Sequence, residues 1–200
     1  MTDPREDAVL AHLRRSRDAL ERAADDRAFV AAVLAIAARL AAALREGGRL
    51  LVAGNGGSAA DSLHIAAEFV GRFTADRAPL PAVALAADTA SLTAIGNDYG
   101  FAHVFERQVR ALGRRGDVLL ALSTSGRSPN IIAALEAARE LGLVTVGFTR
   151  IGEVPMRAHC DLVLAVPAQA TALIQQVHMA AAHAICGLVE RELFGIEPQG

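Results

Sequence analysis

Two hundred residues suffice for one well-buried core and are short for two, and no Pro/Ser-rich or charge-rich linker divides them, which predicts a single domain over residues 1–200. A net charge of −2 and a pI near 6.3 leave no basic excess for nucleic acid, and the longest unbroken apolar run, residues 28–38, is well short of the ~20 that cross a bilayer, so neither a nucleic-acid partner nor a membrane is expected. The chain contains no lysine, which excludes Schiff-base catalysis and a P-loop and leaves any phosphate to hydroxyls, backbone amides or arginine.

In chain order, the N-terminal stretch from Met1 to Asp7 is acidic where a secretory signal is basic and then apolar, so a cytoplasmic location is expected. Residues 1–47 read as a helical pair, with helices over 5–23 and 27–45. In the second, Val30, Val33, Leu34, Ala37, Leu40, Ala41 and Leu44 recur at helical spacing, and Phe29, Ile36 and Ala43 widen the stripe beyond one core face. Such a helix is either buried on two sides, one of them a subunit interface, or alanine-rich through composition alone.

Residues 48–195 then alternate short apolar runs with helical patterns. Strands are expected over 49–53, 82–85, 117–122, 144–148 and 162–166, with helices over 59–73, 89–95 with 102–112, 130–141 and 171–194. Strands apolar throughout and separated by helices predict an α/β fold, a doubly wound, Rossmann-like parallel five-stranded sheet flanked by helices, with ligands at the carboxyl ends of the strands. Cys160 and Cys186 are too far apart for a metal or redox motif and read as small core residues.

Two strand ends carry the polar chemistry. The first leads into Gly54-Asn55-Gly56-Gly57-Ser58 and a helix, a turn that can expose backbone amides to an anion at the helix N-terminus while Ser58 adds a hydroxyl. Two turns on, His64 and Glu68 stand four residues apart, which puts an imidazole and a carboxylate on one helix face within reach of a common metal or substrate. The third strand ends in Ser123, Thr124, Ser125 and Ser128 before Pro129, again with a helix N-terminus behind the hydroxyls. Gly54-x-Gly56-x-x-Ala59 also fits the loose dinucleotide fingerprint, but Asp76 precedes the second strand and Asp88 comes too late after it, so NAD is not expected.

Gly-Asn-Gly-Gly-Ser, Ser-Thr-Ser-Gly-x-Ser and this order of elements resemble the sugar isomerase (SIS) domain over nearly the whole chain. Within it, His64-x-x-x-Glu68, Gly96-Asn97-Asp98, Ile174-Gln175 and His183 resemble the phosphoheptose isomerase family of heptose and lipopolysaccharide biosynthesis. The resemblance implies a cytosolic homotetramer with one zinc per subunit on His64, Glu68, Gln175 and His183. It also implies contacts to a phosphorylated seven-carbon sugar from Asn55, Gly56, Gly57, Ser58, Glu68, Asn97, Asp98, Ser123, Thr124, Ser125, Ser128 and Gln175. The pattern departs at Gln176 and Ala172, where members of the family carry acidic residues, which bears on substrate choice.

The activity so implied is conversion of sedoheptulose 7-phosphate to D-glycero-D-manno-heptose 7-phosphate through an enediol, with Glu68 as base and His183 as its catalytic counterpart. Eight residues of helix separate the backbones of Gln175 and His183 by ~12 Å, so His64 and His183 are the firmer metal ligands. His178 points away from His183 and reads as a hydrogen-bonded structural residue. The alternatives are a non-catalytic SIS adaptor that binds the replication initiator DnaA, which resembles this chain but lacks counterparts of Glu68 and His183, or an SIS isomerase for another phosphosugar. Because the two halves of the site lie on separate, small-residue helix faces, an active site at a subunit interface is expected.

Overall fold

The structure, a computed structural model, describes residues 3–196. Residues 1–2 and 197–200 lie outside it, and with them the ends of the expected single-domain span and of the acidic N-terminal stretch. Helix α1 (Pro4–Asp25) starts where the Asp3 carboxylate accepts a hydrogen bond from the Arg5 amide, and α2 (Arg27–Arg45) starts where Asp26 does the same for Ala28 and Phe29. There follow β1 (Leu50–Gly54), α3 (Gly57–Val70), β2 (Ala82–Ala84), α4 (Thr89–Tyr99), α5 (Glu106–Leu112), β3 (Val118–Leu122), α6 (Pro129–Leu141), β4 (Val144–Arg150), β5 (Leu162–Val166) and α7 (Thr171–Phe194).

All strands are parallel, in the order β2-β1-β3-β4-β5, so the chain reverses its winding between β1 and β3. This is the doubly wound five-stranded sheet that alternating apolar runs and helices predict. Strand periodicity divides the core. Leu50, Val52, Leu120, Leu122, Val146 and Phe148 face α2, α3 and α7 on one side, and Leu51, Ala53, Leu119 and Ala121 face α5 and α6 on the other. The five strands lie within two residues of the expected ranges. β4 runs on to Arg150 because Thr149 and Arg150 pair with Ala165 and Val166, a continuation set by the neighbouring strand rather than by apolarity. Three helices differ more. α3 breaks at Gly71, short of 73, α4 extends to Tyr99 and so carries Asn97 and Asp98, and the helix expected over 102–112 is a 3-10 turn, Phe101–His103, followed by α5.

By length and composition α2 and α7 are each apolar enough to cross a membrane, more so than the longest apolar run suggests. Both, however, lie in the core cluster against the sheet. The far side of α2 is uncovered. Val30 and Leu34 are exposed there, as are Val9, Leu10, Leu13 and Leu20 of α1, and an apolar groove of about 470 Å³ runs between α1, α2 and α7.

The structural part expected of His178 is borne out. It is fully buried beside Phe148, its Nε2 lies 3.4 Å from the Thr149 carbonyl oxygen, and its Nδ1 has no partner among the described residues. Burial pushes its pKa down from 6.5 to about 4. Between those values the unfolded chain holds a proton that the native one does not, so stability is full above the upper value and falls as pH drops toward the lower. The loss should total about 3 kcal/mol. Urea titrations across this range should show the slope in the wild type and a flatter profile in His178→Leu; equal slopes would assign the pH dependence to other groups.

Candidate active site

The loops after β1 and β3 lie side by side at the reversal of winding, where doubly wound sheets open a crevice. Two helices begin there, α3 behind Gly56 and α6 behind Ser128, and neither is capped by a side chain, so both N-termini offer amides to an anion. Asn55 and Asn130 join the loops through a reciprocal amide pair, each Nδ2 donating to the other's Oδ1 at 2.9 Å. Asn130 carried no signal in the sequence, since its partner is 75 positions away. Within the second loop the Ser123 and Ser128 hydroxyls are 3.2 Å apart, the Gly126 amide donates to Ser123 Oγ at 3.1 Å, and Ser125 Oγ accepts from the Arg127 amide at 3.2 Å. Ser125 is exposed and Thr124 half-buried, so the loop presents hydroxyls to the crevice from a braced frame.

The two glycines in the first loop do different things. Gly56 adopts φ 56°, a conformation that side chains disfavour. Gly57 lets Gln175 approach the loop, because a β-carbon there would stand 2.6 Å from Gln175 Nε2 and turn that amide away. Gln175, reaching over from α7, donates to Ser58 Oγ at 3.3 Å. The structure thus places Gln175 against the anion loop.

Deeper along α3, three expected residues converge within one chain. His64 Nε2 is 3.0 Å from Glu68 Oε1 and 3.2 Å from His183 Nε2, and one ligand atom from each lies within 4.8 Å of the others. Tetrahedral bonds of ~2.0–2.1 Å place neighbouring ligand atoms about 3.3 Å apart, so the spacing and the His/Glu/His donor set fit a zinc-type ion. The imidazole of His64 is half exposed and Glu68 is about one-fifth exposed, which leaves the cluster open on one side.

Other expected residues are not joined to it. Asn97 and Asp98 are exposed at the end of α4 and pair with each other at 2.8 Å. His103 and His159, without partners in the sequence pattern, find Glu106 at 2.6 Å and Glu136 at 3.6 Å on the surface.

Residues that pattern-reading passed over surround the cluster. Phe73 stacks on His183, with centroids 5.4 Å apart and planes at 24°. Asp61, one turn before His64, has a buried Oδ2 without a partner among the described residues, and burial pushes its pKa up. Glu190 is buried seven residues after His183 on the same face of α7, and that spacing, a carboxylate in line with Cys186 and His183, was the available signal.

Comparison with known proteins agrees with this geometry. Residues 11–150 match the SIS domain family. The chain is 56% identical to a phosphoheptose isomerase of Bradyrhizobium sp. (strain ORS 278), over 96% of the chain and 98% of the relative. It is 55% identical to one of Burkholderia pseudomallei (strain 1710b), over 86% and 87%. Among solved structures it superposes on the phosphoheptose isomerase of Neisseria gonorrhoeae with a TM-score of 0.87, at 42% identity, covering 92% of the chain and 98% of that structure. For the one from Francisella tularensis the TM-score is 0.89, at 34% identity and coverages of 96% and 100%.

Proposed function

Because the chain belongs to the SIS-domain family and, within it, to the phosphoheptose isomerases, we propose that it converts sedoheptulose 7-phosphate to D-glycero-D-manno-heptose 7-phosphate at the crevice beside β1 and β3. One observation carries the assignment of the site: a carboxylate and two imidazoles meet on α3 and α7, about two to three turns along α3 from its uncapped N-terminus, which lies in the crevice with that of α6. The phosphate is held by the amides of those N-termini and by Ser58, Ser123, Thr124, Ser125 and Ser128, with Asn55, Gly56 and Gly57 shaping the cradle. With no lysine in the chain, hydroxyls and amides suit this task.

The residues along α3 set the scale of the substrate. From Ser58 to His64 the helix rises about 9 Å. An extended seven-carbon sugar phosphate has a similar length, so with its phosphate at the loop its carbonyl end reaches His64 and the Glu68 carboxylate, which leans back along α3 to 3.0 Å from His64 Nε2.

Isomerisation moves a proton between C1 and C2 and serves two oxygens. Glu68 is the base; with Oε1 turned to His64, its second oxygen can take the proton from one carbon and return it to the other, passing through the enediol. His183 donates to and accepts from the sugar oxygens, and Gln175 orients the substrate above the cradle. His64, Glu68 and His183 would hold one zinc ion per subunit, joined by Gln175 of α7 if its amide turns from Ser58 toward them; when bound, the ion polarises the sugar carbonyl. The adaptor alternative needs neither Glu68 nor His183, and relatives named phosphoheptose isomerase do not favour it.

We also propose a cytoplasmic homotetramer serving lipopolysaccharide-type heptose synthesis, with its active site at a subunit interface. The uncovered apolar face of α1 and α2 and the absence of any buried residue in α4 support the assembly. Incubating the purified protein with sedoheptulose 7-phosphate, with and without a chelator, should give aldose formation that the chelator suppresses and zinc restores. Activity on hexose but not heptose phosphates would move the substrate elsewhere in the SIS family, and turnover unaffected after complete metal removal would sink the zinc assignment.

A further inference from the structure

Helices α3 and α7 carry the two halves of the reacting pair, and the one contact between them inside the cluster, from the half-exposed His64 to His183 at 3.2 Å, does not by itself fix how far apart they stand. A buried ion pair behind it does. Arg77 and Glu190 meet at 2.9 Å, with side chains 3% and 1% exposed. Glu190 Oε1 accepts from the Phe73 amide and from Arg77 Nε, each at 2.9 Å, and Oε2 accepts from the Thr74 amide at 3.1 Å and the Thr74 hydroxyl at 2.8 Å. The other end of Arg77 closes α3, with Nη2 donating to the Glu68 carbonyl oxygen and Nη1 to that of Phe69, both at 2.8 Å. These are carbonyls at the end of a helix, where a cation also complements the dipole. One carboxylate on α7 therefore holds the main chain of Glu68, through Arg77, and the segment carrying Phe73, whose ring lies on His183.

We infer that Arg77 and Glu190 are positioning residues that set the spacing of Glu68 and His183, acting through the end of α3 and through the Phe73 ring. Burial pushes the Glu190 pKa up, but the hydrogen bonds from Phe73, Thr74 and Arg77 outweigh it and hold the pKa below the ordinary value, so the carboxylate stays charged while the network is formed. A buried ion pair is weak evidence for net stability. What this one provides is geometry, because the guanidinium fork reaches Glu190 and two helix carbonyls at once, which a lysine ammonium on a single stem cannot do.

The inference rests on the isomerase reading for its rate measurement and is independent of it for metal affinity. The experiment compares Arg77→Lys, Phe73→Leu and Phe73→Tyr with the wild type, measuring kcat, KM, the zinc dissociation constant by chelator competition and the thermal midpoint. Arg77→Lys and Phe73→Leu should each lower kcat about tenfold or more with KM within about twofold, and weaken zinc binding about tenfold. Phe73→Tyr keeps the ring and should stay within about twofold of the wild type on both measures. Wild-type kcat and zinc affinity in the folded variants, with only the midpoint lowered, would overturn the inference, as would Phe73→Tyr being as impaired as Phe73→Leu. Should Arg77→Lys not fold, Phe73→Leu decides. A wild type that binds zinc without isomerase activity refutes the isomerase reading alone, and the zinc affinities of the variants still decide this one.

Discussion

Glu68→Gln should lower turnover of sedoheptulose 7-phosphate by about 10²–10⁴-fold while leaving the fold intact, the range by which a positioned general base contributes. The fold should tolerate it because the side chain is partly open to solvent and pairs with His64, whereas the contact that fixes α3 is made to the Glu68 carbonyl oxygen, which the substitution keeps. Gln is close in shape and can still face His64 through its amide oxygen, but it cannot take a proton from carbon. Since Glu68 is also a proposed metal donor, rate and bound zinc must be measured on the same sample. Lost turnover with zinc retained assigns the base; a near-normal rate with zinc retained removes Glu68 from that role.

The sequence made the sheet legible because its central strands β1 and β3, buried on both faces, read as unbroken apolar runs such as Val118–Leu122. Boundaries went astray where partners, not composition, decide them, as at Thr149 and Arg150 in β4. His64 and Glu68 were readable together because four residues on a helix share a face. That His183 joins them inside one chain was not, since α3 and α7 are brought together only by the return of the last helix over the sheet face that α2 and α3 also cover. A single fold assembles the three donors, so the interface expected from their lying on separate helices would add groups around the site rather than complete the donor set. The reciprocal pair of Asn55 with Asn130 and the anchoring of Phe73 and Arg77 by Glu190 were hidden for the same reason, being hydrogen bonds over long sequence separations with no local period to betray them.

Leu34→Arg should break the proposed homotetramer into smaller species, abolish most of the activity and leave zinc bound. Leu34 is 53% exposed in the single chain and lines the apolar groove between α1, α2 and α7, so in an isolated subunit the substitution is a surface change worth within about 0.5 kcal/mol. Against a second copy the same guanidinium would be buried without a partner, which costs far more than the contact it replaces. Activity should fall with dissociation because α4, which buries none of its residues and leaves Asn97 and Asp98 exposed, offers those polar groups to a neighbouring copy. Zinc should stay because His64, Glu68 and His183 come from one chain. Light scattering, bound metal and rate measured across a dilution series separate these outcomes. Loss of zinc in step with activity would mean that the donor set itself depends on assembly, and a dissociated, zinc-loaded, fully active subunit would remove the interface from the site.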